Sequence, residues 1–324
     1  MKVEDIFKKF SGELLDADQY LRDIFNSNVF LLPMLGRHIL NSGGKRLRPL
    51  FLLLSAEICG YKGDNLAKLA AVIEAIHTAS LLHDDVIDGA DTRRGKPAAH
   101  ALWGNQVVIL VGDYLYSNAL KHAVMQKDIK VVEALSDAVT RMTEGEILQL
   151  NRTGDPAITQ EEYFNIISAK TGVLISAACR IGAILAKEPE DREQALSVFG
   201  MKTGIAFQLA DDILDYTAVQ DDLGKKLGKD LDEGKITMPL IYLLRTASTT
   251  EVEEIKGIIS DDGKGKDSLL RITELFEKYN AIEESFGIAR SLLDEAKAEL
   301  RVFPSSSHKD ELLCMADFAM RRKK

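Results

Sequence analysis

An aspartate-rich motif at the end of an apolar helical run is the feature that most constrains this fold. Residues 64–88 read as a strongly apolar helix, and Asp84, Asp85 and Asp88 lie within its last five residues. Residues four and seven apart share one face of a helix, so Asp84 and Asp88 lie on the same stripe as His77. Carboxylates crowded in this way repel one another and are costly to desolvate. We therefore expect helix ends gathered around a cation.

The same spacing recurs at the end of a second predicted helix, residues 190–218. Asp211, Asp212 and Asp215 repeat the pattern, and Gln208 lies one turn before them. Either motif alone is also explained as a solvated acidic helix end, because charge runs are usually solvated. Two motifs with equal spacing, each followed by cations, are far more specific. If the two helices face each other, their carboxylates can bind one polyanion between them through bridging metal ions. A diphosphate is the ligand that best suits such a site.

The chemistry of the two motifs indicates which ion and which anion they hold. All-oxygen ligands with no cysteine nearby favour a hard ion, Mg²⁺ or Mn²⁺, over zinc. The guanidinium fork of arginine binds phosphate oxygens in pairs, and lysine supplies a point charge. The cations that follow the two motifs are Arg93 and Arg94 after the first, and Lys225, Lys226, Lys229 and Lys235 after the second.

The overall charge and the cysteines exclude several classes of protein. A formal net charge of −9 argues against nucleic acid as a partner, because such a protein needs a broad basic face. Cys59, Cys179 and Cys314 show no metal-ligand spacing, so buried thiols in a reduced cytoplasmic protein are expected. The N-terminal sequence has no apolar signal core. Apolar runs such as Pro49–Ala56 fall short of the ~20 residues that span a bilayer, so no transmembrane segment is predicted.

The rest of the chain also reads as helices. Only seven prolines interrupt 324 residues, and long segments rich in helix-forming residues dominate. We predict one all-α domain over residues 1–324, with a peripheral helical layer from about residue 249. The predicted helices are 3–25, 28–41, 47–59, 64–88, 106–126, 129–152, 159–186, 190–218, one opening at Pro239, 250–259, 266–279, 280–302 and 308–321.

Three further segments carry unusual residues. The loop 41–49 combines two glycines with Lys45, Arg46 and Arg48, which suits either phosphate binding or a plain turn with a solvated basic tail. Lys170–Gly172 lies within a predicted helix, where glycine and threonine favour a kink that bares backbone carbonyls. Glu144 and Gln149 are polar within an apolar segment, and a satisfied structural pair is the default expectation there.

Six segments together resemble the trans-type polyprenyl diphosphate synthases, the prenyltransferases that elongate isoprenoid chains. The resemblance covers roughly residues 30–245, and both aspartate motifs are complete, unlike those of catalytically silent subunits in some relatives. The matching segments are GGKRLRP at 43–49, IHTASLLHDDVID at 76–88, RRGKP at 93–97, KTG at 170–172, GIAFQLADDILD at 204–215 and GKKLGKDLDEGK at 224–235. KTG departs slightly from the commoner KTA.

The resemblance implies a helical bundle of the isoprenoid synthase type, with the active site in a central cavity between helices. It also implies a Mg²⁺-dependent head-to-tail condensation of isopentenyl diphosphate with an allylic diphosphate, farnesyl diphosphate or a similar compound. The allylic C–O bond ionises, the double bond of isopentenyl diphosphate attacks the carbocation, and a proton passes to the released diphosphate. Members of the family are typically dimeric, so a homodimer is expected, and the sequence leaves a second, different subunit open. An apolar helix such as 106–126 is a candidate interface.

The resemblance assigns roles residue by residue. The direct metal ligands would be Asp84, Asp88 and Asp211. Ligands acting directly or through water would be Asp85, Asp212 and Asp215. The leaving diphosphate would be neutralised by Arg93, Lys170, Lys225 and Lys235. The diphosphate of isopentenyl diphosphate would be bound by Lys45, Arg48, His77 and Arg94. The allylic cation would be stabilised by oxygens of Thr171 and Gln208.

Product length is expected to depend on the helix that carries the first motif. Ala79 and Ser80 lie about one turn below Asp84, where short-chain enzymes of the family often carry a bulky aromatic residue. Both are small, and the deeper Ile76 and Val72 are aliphatic. A long product is therefore predicted, octaprenyl diphosphate or near it, of the kind used for quinone side chains.

Three other interpretations stay open at this point. A geranylgeranyl or farnesyl diphosphate synthase would share the mechanism and differ only in product length. A class I terpene cyclase shares the metal-triggered ionisation, although its second metal motif typically mixes Asn, Ser and Glu. A non-catalytic helical subunit that binds metal or lipid belongs to a different class of protein altogether.

Overall fold

A computed structural model describes residues 1–41, 43–93, 95–217, 228–260, 266–318 and 320. Arg94 and Lys225, which the resemblance assigns to diphosphate binding, and Lys226, a cation after the second motif, lie outside these residues. The described part of the chain is almost entirely helical, which confirms the predicted all-α class. It packs as two compact units. The first comprises Met1–Val139, Leu174–Gly200 and Leu300–Met315, and the second comprises Thr140–Val173, Met201–Glu299 and Ala316–Lys324.

The elements before the second aspartate motif follow the predicted order closely. A short antiparallel pair of strands, β1 (Thr92–Arg93) and β2 (Lys96–Pro97), follows the first motif. The helices are α1 (Val3–Lys9), α2 (Ser11–Ile24), α3 (Leu31–Leu40), α4 (Leu47–Ile58), α5 (Leu66–Ile87), α6 (Ala99–Trp103), α7 (Asn105–Val124), α8 (Ile129–Arg152), α9 (Gln160–Ile167) and α10 (Val173–Ala186).

The later elements begin with the helix that carries the second motif. They are α11 (Glu190–Thr217), α12 (Lys229–Asp232), α13 (Met238–Thr246), α14 (Thr249–Ser260), α15 (Lys266–Tyr279), α16 (Ala281–Glu299), a 3₁₀ turn (Leu300–Val302) and α17 (Ser307–Phe318). The predicted kink is a π-helical turn, Ser168–Gly172, between α9 and α10. Such turns occur often at functional sites because one backbone register is shifted.

Local sequence explains several helix ends. Thr159 and Glu162 form a capping box at the start of α9, since the Thr159 hydroxyl accepts the Glu162 N–H at 3.1 Å and Glu162 accepts the Thr159 N–H at 2.9 Å. Pro239 stands in the first turn of α13, where its missing N–H costs no helical hydrogen bond. Gly89 has a φ of +61° just beyond α5, a conformation that ends a helix most readily at glycine.

In the first unit, α5 is the central helix and packs against α2, α4 and α7. Its approach to α7 is close at Gly112, because a Cβ on that residue would lie 2.2 Å from Nε2 of His83. His83 donates to the carbonyl oxygen of Ile109 at 3.1 Å, so this histidine links α5 to α7. The position of the first aspartate motif is thus fixed by α7 packing directly beside it.

The second unit has its own hydrophobic core. Helix α13 packs against α9, α14, α15 and α16. Ile213 and Tyr216 of α11 enter this core beside Leu240, Ile272 and Phe276, and the Tyr216 and Phe276 rings meet edge to face at 5.0 Å. The predicted peripheral layer therefore contributes buried side chains to the core that supports the second aspartate motif.

Two helical stretches are long and apolar enough to cross a membrane by length and composition, which the sequence analysis did not anticipate. They are Leu66–Ile87 and Gln160–Ala186, and 61% and 72% of their most apolar windows are buried inside the protein. Most of their surface is therefore covered by other parts of the chain, as in the core helices of a globular protein.

The three cysteines are free thiols, but the expectation that they are buried is confirmed only for Cys179. Cys59 and Cys314 are half-buried. Burial raises the pKa of the Cys59 and Cys179 thiols to about 12. Because the thiolate is the reactive form, these two side chains are chemically inert at neutral pH.

Candidate active site

The first aspartate motif lies at the C-terminal end of α5. Asp84 is half-buried, and Asp88 is the C-cap residue, whose N–H donates to the Asp84 carbonyl oxygen at 2.8 Å. His77 and Ser80 are half-buried on the same helix stripe, while their neighbours Ile76 and Ala79 are fully buried. The stripe of residues predicted from helical periodicity is therefore an accessible face of α5.

Asp85 has a different environment from the other two aspartates of its motif. Its side chain is 3% exposed, and Arg93 of β1 donates to both carboxylate oxygens, from Nε at 2.7 and 2.8 Å and from Nη2 at 2.6 Å. A paired guanidinium satisfies a buried carboxylate well. In this structure Asp85 thus fixes Arg93 and the β1–β2 turn beside the motif.

The basic loop lies against the same helix. Arg46 adopts a left-handed conformation, with a φ of +50°, and donates to Asp18 at 2.7 Å and to the buried Glu74 of α5 at 3.1 Å. Lys45 is exposed and Arg48 is half-buried. Arg46 therefore anchors the loop. Lys45 and Arg48, which are assigned to isopentenyl diphosphate, lie on either side of Arg46 in the chain.

A small cavity of about 50 Å³ joins these three segments of the first unit. The loop contributes Arg46, α5 contributes Thr78 and Asp85, and β1 contributes Arg93. The structure thus brings together the basic loop, the first motif and the arginine that follows it, segments separated by up to some 50 positions in the chain.

The second aspartate motif lies near the end of α11. Asp211 and Asp215 are half-buried, whereas Asp212 is 7% exposed. Asp212 accepts the hydroxyl of Tyr163 at 2.6 Å and the amide of Gln208 at 2.8 Å. Burial raises the pKa of Asp212 to about 7; these hydrogen bonds oppose the rise, and the charges of Asp211 and Asp215 add to it.

A further carboxylate, Asp230 of α12, belongs to this group and was missed by the sequence analysis. Its backbone N–H donates to Asp215 Oδ2 at 2.9 Å, and the Gly228 N–H donates to the Asp215 carbonyl oxygen at 2.9 Å. Burial raises the pKa of Asp230 well above its ordinary value, and the charges of Asp212 and Asp215 add to the shift. Asp230 could have been found from its place in the segment GKKLGKDLDEGK, but only the lysines of that segment were interpreted as site residues.

The residues of the second unit suit a hard divalent cation. The donor atoms around the motif are carboxylate oxygens, and burial together with mutual repulsion makes their ionisation unfavourable without a counter-charge. Another cluster of possible metal ligands, Glu57, His308 and Glu311 in the first unit, does not suit a divalent cation. There the Lys9 ammonium group already lies 2.8 Å from Glu57 and 2.9 Å from Glu311, so the cation position is taken.

Lys170 lies in the π-helical turn and is held by α8. Its Nζ is 2.5 Å from Glu146 Oε2 and donates to Gln149 Oε1 at 2.9 Å. The expected structural pair of Glu144 and Gln149 is therefore wrong: Gln149 bonds Lys170, and Glu144 is exposed. The acidic partner of Lys170 is Glu146, two residues after Glu144 on α8. The sequence alone did not specify which side of α8 faces Lys170.

Other residues of KTG and its neighbours are equally constrained. The Thr171 hydroxyl donates to Gln208 Oε1 at 2.8 Å. A Cβ on Gly172 would lie 2.7 Å from Met201 Sδ, so the glycine that departs from the commoner alanine allows α11 to approach this turn. Lys235 pairs with Glu233 at 2.7 Å.

A cavity of about 140 Å³ in the second unit collects these side chains. Lysines and acidic groups line it together, which suits an anion bound through a cation. The predicted residues along its wall are Lys170, Thr171, Gln208, Asp212 and Lys235, and residues not predicted include Arg152, Tyr163 and Asp230.

Known proteins resemble this chain over nearly its whole length. Residues 31–276 match the family model of polyprenyl synthetases. The octaprenyl diphosphate synthase of Escherichia coli is 38% identical over 99% of both chains, and a short chain isoprenyl diphosphate synthase of Methanothermobacter thermautotrophicus is 37% identical over 99% of both chains. A crystal structure of a polyprenyl synthase from Caulobacter crescentus, complexed with calcium and isoprenyl diphosphate, superposes with a TM-score of 0.94 at 38% identity, covering 100% of this chain and 98% of that one.

The fold and the relatives together define the class of this protein as a prenyltransferase. The chain belongs to the polyprenyl synthetase family.

Proposed function

We propose that this protein is a long-chain trans-polyprenyl diphosphate synthase. It would add isopentenyl diphosphate head to tail to an allylic primer such as farnesyl diphosphate. The observation that carries the proposal is the cavity of the second unit, where Lys170 and Lys235 stand beside the buried carboxylate of Asp212. The first unit supplies the complementary feature, a basic loop packed against the helix that carries the first motif.

The residues of the first unit would bind both diphosphates. Asp84 and Asp88 are on the accessible face of α5 and would be direct metal ligands on the allylic side. Lys45 and Arg48 flank the anchored loop and, with His77, would bind the diphosphate of isopentenyl diphosphate. Arg93 has donors in addition to those that bind Asp85, because a guanidinium carries five N–H groups.

The residues of the second unit would neutralise the leaving group. Lys170 is oriented by Glu146 and Gln149, and Lys235 by Glu233, so both ammonium groups are positioned before substrate arrives. Preorganised charges of this kind stabilise a transition state without reorganisation. Asp211 would be the third metal ligand, with Asp212 and Asp215 acting directly or through water.

The cofactor proposed is Mg²⁺, with Mn²⁺ as a substitute. When bound, such an ion would offset the charge of the departing diphosphate and ease C–O ionisation. The relative from Caulobacter crescentus is described as complexed with calcium, another hard cation with oxygen ligands. We also propose a cytoplasmic location and a single synthase domain over residues 1–324.

Product length is proposed from the helix below Asp84. The two relatives named above differ in product class at nearly equal identity, so overall similarity does not decide it. Ser80 is half-buried on the accessible stripe, three residues from His77, and Ala79 is fully buried beside it. The small serine leaves room for a growing chain, which supports an octaprenyl product, of the kind used for quinone side chains.

Ser80→Phe is expected to shorten the product, because a phenyl ring on the accessible stripe would block the path of the hydrocarbon tail. The chain lengths would be read by mass spectrometry after reaction with isopentenyl and farnesyl diphosphates. Ala79→Phe should act in the same direction but also lower stability, since overpacking a buried site costs about 1–3 kcal/mol. Ser80→Ala, which keeps the residue small, is the control. Unchanged product length in both phenylalanine variants would contradict the tunnel along α5.

The direct test of the proposed function is a product assay with purified protein, Mg²⁺, isopentenyl diphosphate and farnesyl diphosphate. A polyprenyl diphosphate of about eight isoprene units is the expected product, and geranylgeranyl diphosphate alone would restrict the proposal to a short-chain enzyme. A cyclised hydrocarbon would indicate a terpene cyclase. The complete second aspartate motif and the membership of the polyprenyl synthetase family disfavour that outcome. Absence of turnover would indicate a non-catalytic subunit and overturn the proposal.

We propose that the protein forms a homodimer through α7. Exposed apolar side chains lie at both ends of this helix and just beyond them, and groups of such side chains mark interaction surfaces. Ile109 and Leu110 are separated from Val124 by about four helical turns and so lie on the same side of the helix, with exposed polar residues between them. The exposed apolar residues are Leu102, Ile109, Leu110, Val124, Met125 and Ile129, each between 42% and 69% exposed.

Leu110→Glu is expected to convert the dimer into a monomer, because a carboxylate would be desolvated in the interface without a partner. Light scattering coupled to size exclusion would show the mass fall by half. Leu270→Glu is the matched control, since Leu270 is 61% exposed against 66% for Leu110 but lies on α15 of the second unit. A Leu110→Glu protein that kept the dimer mass would place the interface elsewhere.

A further inference from the structure

Tyr163 makes a buried contact that none of the assigned roles explains. It lies on α9, seven residues before Lys170, and is 3% exposed. Its hydroxyl donates to Asp212 Oδ2 at 2.6 Å, a short hydrogen bond to a carboxylate that is itself 7% exposed. Hydrogen bonds to an ionised acceptor are shorter and stronger than neutral ones, so this contact fixes Asp212 firmly.

The other oxygen of the same carboxylate is held from a different direction. Gln208 donates its amide to Asp212 Oδ1 at 2.8 Å, and its own carbonyl oxygen accepts the Thr171 hydroxyl at 2.8 Å. The amide orientation follows from its partners, because a carboxylate only accepts and the threonine hydroxyl is placed to donate. Thr171, Gln208, Asp212 and Tyr163 therefore form one continuous chain of hydrogen bonds.

This chain leaves Asp212 with capacity for a cation. A carboxylate offers about four lone-pair positions, and the two hydrogen bonds use one on each oxygen. The carboxylate plane is thereby fixed from α9 on one side and from within α11 on the other. Both Asp212 and Tyr163 line the cavity that also contains Lys170 and Lys235.

Apart from its hydroxyl, Tyr163 resembles an apolar core residue. Its ring packs in a hydrophobic core with Ile166, Ile213 and Leu240, where a phenylalanine would bury nearly the same apolar surface. The hydroxyl donates to Asp212 of the aspartate motif and also has a hydrogen bond with the backbone of Met238. Groups that orient metal ligands in this way typically change metal affinity or activity by 10–100-fold when they are removed.

We propose that Tyr163 is a positioning residue for the second aspartate motif: its hydroxyl holds the Asp212 carboxylate in the orientation that receives the diphosphate-bound divalent cation. Gln208 and Thr171 belong to the same chain of hydrogen bonds and help to hold the Asp212 carboxylate. Their predicted role at the allylic cation is then secondary, because the Gln208 carbonyl oxygen and amide are both engaged within the chain. The proposal rests on the proposed function, since it assumes that the motif binds a metal diphosphate.

Tyr163→Phe tests the proposal by removing one oxygen atom. Mn²⁺ binding in the presence of inorganic diphosphate, followed by electron paramagnetic resonance, should weaken about tenfold. In steady-state assays of the same protein, the Mg²⁺ concentration for half-maximal rate should rise by a similar factor, while KM for isopentenyl diphosphate stays unchanged. A residue that only supported the fold would not separate these two constants.

Tyr279→Phe is the matched control. The Tyr279 hydroxyl also donates to a carboxylate at 2.6 Å, that of Glu251, in the same unit but away from the motif. Both variants lose a tyrosine–carboxylate hydrogen bond of equal length, so a general effect of that loss would appear in both. Only Tyr163→Phe is expected to alter Mn²⁺ binding.

A second comparison keeps the test decisive if Tyr163→Phe loses stability. In an Asp212→Asn background, Tyr163→Phe should cause no further loss of Mn²⁺ affinity, because the hydroxyl acts through that carboxylate. Independent losses in the two backgrounds, or unchanged Mn²⁺ binding in folded Tyr163→Phe, would overturn the proposal. Absence of prenyl transfer by the wild-type protein would instead overturn the proposed function, so the two failures are distinguishable.

Discussion

Asp84→Asn is expected to lower kcat by about 10³-fold, the upper range for removing one preorganised electrostatic group. The substitution keeps the size of the side chain and removes the negative charge that would bind the metal on the accessible face of α5. The rate would be measured by incorporation of labelled isopentenyl diphosphate at saturating Mg²⁺. Mn²⁺ binding in the presence of inorganic diphosphate should weaken in the same variant.

The control for Asp84→Asn is Asp91→Asn. Asp91 is exposed and follows the same helix, so the change in net charge is identical and the distance along the chain is small. Circular dichroism would verify that both variants keep their helices. Normal turnover by Asp84→Asn would show that the first motif does not carry the reaction.

Lys170→Gln should lower kcat by about 10²–10³-fold, because it removes a fixed positive charge from the place where negative charge develops on the leaving diphosphate. The variant should also lose stability, since Glu146 would keep a half-buried charge without its partner 2.5 Å away. Turnover and thermal unfolding would be measured on the same preparation. The two effects have different causes and can be separated.

The double variant Lys170→Gln/Glu146→Gln separates them. Neutralising Glu146 removes the unpaired charge, so thermal stability should recover while turnover stays low. Lys202→Gln serves as the control, because Lys202 pairs with Glu295 and Glu299 away from the cavity. Recovery of turnover in the double variant would mean that Lys170 only offsets Glu146 and takes no part in the reaction.

The helices were predictable because their apolar residues recur with the period of a helix over many turns. The bounds of α5 and α8 fall within two residues of those expected. Short elements were not predictable in this way. Helix α6 has five residues and α12 has four, and β1 and β2 have two each, too few for any periodic signal.

Which side chains would meet was predictable only in part. The stripe of His77, Ser80, Asp84 and Asp88 follows from rotation about a single helix. Partners on different elements depend on how helices are rotated against each other, and the sequence carries no such information. The bond of Asp85 to Arg93, the use of Glu146 instead of Glu144 to hold Lys170, and the contact of Tyr163 with Asp212 are all of this kind.

The break in the predicted helix 3–25 has a similar origin. Phe10 leaves the helical region with a φ of −94° and a ψ of 14°, and its side chain is 2% exposed. Nothing in the composition of this segment forbids a continuous helix. Phe10 keeps its helical hydrogen bonds, because its N–H donates to the Ile6 carbonyl oxygen at 3.1 Å and its carbonyl oxygen accepts the Leu14 N–H at 3.0 Å, so the break is a local change of direction that buries the ring.

Gly112 lies on a helix, α7, that contacts the helix of the first aspartate motif and also carries the proposed dimer interface. On one side, α7 touches the helix of the first motif so closely that only a hydrogen atom fits between Gly112 and His83, the residue before Asp84. On the other side it presents Leu110 and its apolar neighbours. In the proposed homodimer, a single helix, about 10 Å thick, would lie between the partner subunit and the helix that carries the first aspartate motif. Substitutions in that interface would then be expected to change both assembly and activity.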